Sequence, residues 1–84
     1  MLAQKEVIAA IRQNNLEYAA FSHAIQVEGK PVTVYGIRIR TETGEAAVPD
    51  ITPNRQKILK FLQLLAKNQV HPAVLRELAE DFII

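Results

Sequence analysis

The chain contains no cysteine and no tryptophan, and only one methionine, one serine (Ser22), three glycines and two histidines. Each scarcity removes a class of chemistry. Without cysteine there is no disulfide, no thiolate nucleophile and none of the common structural zinc sites. Three glycines are too few for a phosphate-cradling loop, and Ser22 has no motif around it that would activate a hydroxyl. No phosphate loop, dinucleotide fingerprint, nucleophile elbow or HExxH pattern is present. Charge excess is also missing: 10 Lys and Arg stand against 9 Asp and Glu, for a net charge of +1. A general nucleic-acid or anionic-membrane binder normally carries a clear basic surplus. No apolar run approaches the roughly 18–20 residues that span a bilayer. The opening MLAQKEVIAAIRQNN is broken by Lys5, Glu6 and Arg12, unlike a secretory signal. These absences together predict a cytoplasmic protein without cofactor, metal site or catalytic residues, and not an enzyme.

What is present is a 49% hydrophobic content over 84 residues, enough for one modest core and one domain spanning 1–84. Ala3, Val7, Ala10 and Ile11 recur at helical spacing, which predicts a short helix over 2–13 stopped by Asn14 and Asn15. Residues 17–28 alternate, with Ala19, Phe21, His23, Ile25 and Val27 on the more apolar side. After an EGKP turn, VTVYGIRIRT puts Tyr35, Ile37 and Ile39 on one face. Val34, Gly36, Arg38 and Arg40 fall on the other. Gly36 in mid-strand predicts a bulge or the close approach of another backbone. AAVPDI reads as a weaker strand, which Pro49 pushes to a sheet edge or stops from pairing. The β-meander therefore covers 17–51.

The stretch 53–83 reads as a helical hairpin. Thr52 is the expected N-cap and Pro53 the first helical residue. Ile58, Phe61, Leu62 and Leu65 form the buried stripe, and Asn68 is the stop. Pro72 opens a second helix docked by Leu75, Leu78, Ala79 and Phe82. The expected fold is α+β: a three-stranded antiparallel meander packed on a C-terminal αα-hairpin, with a short N-terminal helix.

NLEYAAF, VYGIRI, DIT and LLAKNQVHPAVLRELAEDF, in that order and spacing, resemble a family of small bacterial proteins of unknown function associated with Gram-positive spore-formers. Tyr35, Gly36, Ile37, Asp50, Ile51, Thr52, Pro72, Leu75, Asp81 and Phe82 carry the match. The resemblance covers roughly residues 15–83. It departs at His71, where the family pattern implies Ser or Thr before the last-helix proline. It implies no activity.

Few residues remain as candidates for chemistry. His71 could be a base or ligand at a helix mouth, but the residue before proline already has N-cap geometry, so it reads as a second capping residue beside Thr52. His23, on the apolar side of its strand, reads as a hydrogen-bonded core or rim residue. Glu80 and Asp81 sit in the last helical turn, where acids oppose the helix dipole. They predict an internal partner such as Arg38, Arg40 or a lysine of the preceding helix. Arg38, Arg40, Glu80, Asp81, Phe82 and Ile83 form the candidate interaction surface. The expected function is a non-catalytic protein–protein interaction or regulatory module with an unidentified protein partner. A half-covered sheet and the apolar tail Phe82-Ile83-Ile84 add the expectation of a homodimer. The alternative is a nucleic-acid-associated regulator using Arg38, Arg40 and the basic face of the first C-terminal helix, although no aromatic residue interleaves those arginines to stack bases. An enzyme with no recognisable motif is the third reading.

Overall fold

The computed structural model describes residues 5–83, without the side chain of Ile83; residues 1–4 and Ile84 lie outside the described residues. The fold is α+β. Four antiparallel strands in the order β1-β2-β3-β4 form one sheet: β1 (Glu6–Gln13), β2 (Leu16–Val27), β3 (Lys30–Arg40) and β4 (Glu45–Thr52). Two helices follow, α1 (Arg55–Lys67) and α2 (Leu75–Ile83), the latter preceded by a single 3-10 turn over Pro72–Val74.

The expected N-terminal helix is corrected to a strand. Its residues 2–4 lie outside the described residues, and Glu6–Gln13 pairs with β2 from Glu6↔Ser22 to Gln13↔Leu16. A register shift between Val7 and Ala9 inserts one extra residue into β1. That bulge leaves Val7 and Ala10 on one face and Ile8 and Ile11 on the other, each pair three residues apart. Spacing of three is also the helical signature, so a bulged strand imitates an amphipathic helix. Asn14 and Asn15, expected as a helix stop, have φ of 50° and 65°. Positive φ at both central residues defines a type I′ hairpin turn, which Asn accepts at low cost. Glu28 and Gly29 repeat the arrangement between β2 and β3, with φ of 53° and 79°.

Tyr18 and Ala20 of β2, Ile37 and Ile39 of β3 and Ile51 of β4 meet Ile58, Phe61, Leu62 and Leu65 of α1 and Leu75 and Ala79 of α2 in one core. The helix-covered face of β2 is thus the Tyr18 face, not the Phe21–His23–Ile25 side that looked more apolar. The Tyr18 hydroxyl donates to the carbonyl of Val70 at 3.0 Å, which satisfies the one polar atom that its burial would otherwise strand. Phe61 stacks on Phe82 with centroids 4.4 Å apart, bringing the end of α2 back to the middle of α1. Leu78, expected to dock α2, is instead 37% exposed, because the 3-10 turn sets the phase of the helix and turns Leu75 and Ala79 inward.

The helix caps also differ from expectation. Thr52 still pairs with Tyr35 as the last residue of β4, and its hydroxyl accepts from the amide of Asn54. Asn54 is the N-cap of α1, with its side-chain oxygen accepting from the Lys57 amide at 3.0 Å. At the far end Asn68 is the C-cap as expected, and Gln69 follows at φ 50°. The amides of Gln69 and Val70 return to the carbonyls of Ala66 and Leu65, a Schellman closure with glutamine where glycine is usual.

Pro49 does lie on an edge strand. Between Ile37↔Val48 and Tyr35↔Thr52, residues 49–51 of β4 oppose the single residue Gly36. A Cβ at Gly36 would stand 2.6 Å from the Cα of Pro49, so the glycine is there to let this hump of backbone cross the sheet. The hump reaches β2: His23 Nε2 lies 3.1 Å from the Pro49 carbonyl and 3.0 Å from Asp50 Oδ1. Both partners accept, so Nε2 carries the proton. Under this cover Phe21 and Val34 are buried although no helix lies over them.

Candidate functional site

Alternation along β3 places Arg38 and Arg40 opposite the core residues Ile37 and Ile39, on the sheet face that bears no helix. They do not stand free there. Glu17, at the start of β2, receives the Arg12 Nε at 3.0 Å and lies 3.6 Å from Arg38 and 3.7 Å from Arg40. Arg40 also donates its Nε to Glu45 at 3.1 Å. The hydrogen bond from Arg12 holds the Glu17 carboxyl below its ordinary range, and the charges of all three arginines act in the same direction against partial desolvation. Arg12, Glu17, Arg40 and Glu45 thus run as a row of alternating charge across one end of the sheet, from the β1 edge to the β4 edge. Glu17 is the residue missed by the sequence reading. A two-residue turn at Glu28–Gly29 fixes the β2–β3 register and makes Glu17 the cross-strand partner of Arg40. A longer EGKP turn hides that pairing.

Glu80 and Asp81 correct a second expectation. Both are exposed on α2, and among the described residues neither takes part in an ion pair. Arg38 and Arg40 lie on the far face of the sheet and already hold Glu17 and Glu45. The acids of the last turn are solvated, and their unfavourable placement is tolerated because water screens it. Phe82 is half-buried against Phe61. The side chain of Ile83 lies outside the described residues. The five of these residues whose side chains are described therefore divide between the two sides of the molecule and do not form one surface. The basic residues of α1 are likewise separated from Arg38 and Arg40 by the sheet.

His71 occupies the N-cap position of the 3-10 turn with φ −87° and ψ 155°, but its side chain makes no capping hydrogen bond; the Val74 amide uses the His71 backbone carbonyl instead. Its ring lies at the end of the molecule where the Asn14–Asn15 turn, the 41–44 loop and the 68–71 connector meet. Three shallow depressions adjoin there. One of about 460 Å3 lies beside Arg12, Glu17, Arg40 and Glu42. Two others, of about 450 and 380 Å3, share Thr41 and His71. Among the described residues no cluster of three or more His, Asp or Glu is arranged to hold a metal.

The two sheet edges are built differently. The β4 edge carries Pro49, which has no N–H to offer, is interrupted by the hump at 49–51, and packs against α2. The β1 edge has no proline, and among the described residues no strand lies beyond it. The pair flanking the Asn14–Asn15 turn, Gln13↔Leu16, is the hydrogen-bonded kind in a two-residue hairpin. By alternation Ile11 and Ala9 also turn their backbone groups to β2, so Ala10 and Arg12 turn theirs outward.

A four-stranded meander is covered on one face by two helices, with one blunted edge and one edge beyond which, among the described residues, no strand lies. No helix among the described residues is long and apolar enough to cross a membrane. The chain belongs to a family of unknown function (DUF6514), whose model matches residues 1–84. No curated protein and no solved structure matches it.

Proposed function

We propose that the chain is a non-catalytic protein-interaction or regulatory module that engages its partner through the uncovered side of its sheet. The observation that carries this reading is the open β1 edge beside the bare face. There the outward backbone groups of Ala10 and Arg12, together with Val7 at 51% exposure, lie next to one another. An edge with free N–H and C=O groups is a ready template for another chain, and natural proteins usually blunt such edges. Among the described residues this chain blunts β4 with a proline, a hump and a helix, and β1 only with the bulge at Val7–Ala9. The nucleic-acid reading is weakened because Glu17 and Glu45 already engage Arg38 and Arg40, the two arginines on which it rests, and because the lysines of α1 face the other way.

Affinity capture with cross-linking from the native host tests the proposal. A partner retained near one-to-one, cross-linked to Lys5 rather than to the α1 lysines, is the expected result. Recovery of nothing beyond what a denatured control retains would contradict it, as would retention that nuclease treatment abolishes.

A further inference from the structure

We infer that the β1 edge receives an extended segment of another polypeptide, acidic on one face and apolar on the other, as a fifth strand of the sheet. The inference rests on the module reading above and adds the chemistry of the partner.

Three features of β1 select that chemistry. The first is backbone: Ala10 and Arg12 present their N–H and C=O groups outward, and the strand contains no proline. The second is the helix-side face. Ile8, Ala9 and Ile11 are only half-buried, yet they pack on the main core. They form a ledge beside α1 that apolar side chains of an added strand would complete, removing more apolar area from water. The third is charge on the opposite face. Lys5 lies over the Phe21 ring at 5.0 Å, and Arg12 bonds Glu17 while its side chain stays 83% exposed. Phe21 and Glu17 both belong to the helix-free face, so Lys5 and Arg12 mark the two ends of β1 on that face, with only Val7 and Ala10 between them.

The same charges decide against a second copy of this chain as the occupant. Two β1 strands paired antiparallel about a two-fold axis would keep each face with itself. In the register that keeps the full length of both strands paired, Val7 against Ala10, Lys5 of one copy would then lie beside Arg12 of the other, and like charges directly across a sheet are destabilising. An incoming strand with carboxylates at both ends of that face meets Lys5 and Arg12 instead. Allowing for the bulged residue, the two carboxylates stand about six residues apart on a straight strand, roughly 20 Å.

The blocked peptide Thr-Glu-Val-Thr-Ile-Thr-Val-Glu-Thr tests this. It reads the same in both directions, so strand orientation does not matter. Its two glutamates share one face and its Val, Ile and Val share the other. Residue-resolved amide exchange on the full chain is the readout. At saturating peptide, exchange at Ala10 and Arg12 should slow by about tenfold or more, with Ala47 on the β4 edge unchanged. The same peptide with lysine at both glutamate positions should bind the parent chain at least about tenfold more weakly, and Arg12→Glu, which leaves one cation and one anion on that face, should abolish that preference. The peptide swap leaves the protein untouched, so a variant that fails to fold does not decide the outcome. Slowed exchange at Ala47, unchanged exchange at Ala10 and Arg12, or equal binding of both peptides by the parent chain overturns the inference. Unchanged exchange together with a captured partner removes the strand-addition claim alone; failure of capture as well removes the module reading with it.

Discussion

The two edges of the sheet solve the same problem in opposite ways. β4 carries backbone groups that could attract another strand, and its sequence disables them. Pro49 removes one donor, three residues oppose Gly36 so the ladder breaks, and α2 packs alongside. His23 then ties the hump to β2. β1 has one bulge near its start and an otherwise regular ladder ending in a tight Asn-Asn turn. Among the described residues edge protection is concentrated on β4, and β1 carries only the bulge at Val7–Ala9.

Mutations sharpen that contrast in a definite order. Ile51→Ala removes the buried side chain that anchors β4 to the helices and should cost about 2–5 kcal/mol on chemical denaturation. Gly36→Ala forces a Cβ into the Pro49 backbone and should cost roughly 1–3 kcal/mol. An unchanged melting temperature for Gly36→Ala would mean that the hump is not held down. On the other edge, Ile11→Ala trims a half-buried side chain and should cost only about 1 kcal/mol, the mark of a strand whose outer flank is still open. A loss as large as that of Ile51→Ala would erase the distinction. Asn15→Gly should add roughly 0.5–1 kcal/mol, because glycine adopts the φ of 65° without strain.

The smallest effect is electrostatic. Glu17 has a lowered pKa in the folded state, chiefly through the hydrogen bond from Arg12. A depressed carboxyl contributes stability that is present above its ordinary value near 4.3 and is lost as the pH falls through the folded-state value. Glu17→Gln should flatten part of the acid limb of the pH–stability curve. Added salt should shrink the difference between the two proteins at neutral pH, since the row is solvent-accessible. A Glu17→Gln curve that superimposes on the parent from pH 3 to 7 would remove Glu17 as the hub of the row.

The same comparison explains what could be read from the residues. β3, Gly36, the edge position of Pro49 and the stripe of α1 follow from local rules that tertiary context does not overturn. β1 failed for a geometric reason, since a bulge converts the two-residue period into pairs three apart, and Asn-Asn suits a helix end and a type I′ turn equally. The helix-free side of β2 looks the more apolar because Phe21 and His23 are covered by the hump from β4, a contact spanning 26 residues that no local pattern shows. Arg38 and Arg40 looked free because their partner, Glu17, is set by the register and not by sequence proximity. Glu80 and Asp81 broke a helix rule without compensation, which shows that an exposed last turn tolerates the violation.

Residue-resolved hydrogen exchange of the chain alone, across residues 6–13, separates an unpaired β1 edge from an occupied one. The account predicts alternation: Ala9, Ile11 and Gln13 are protected by β2, while Ala10 and Arg12 exchange near free-chain rates. Continuous protection over these residues would contradict it, since that is the signature of a helix or of an edge already occupied by another strand.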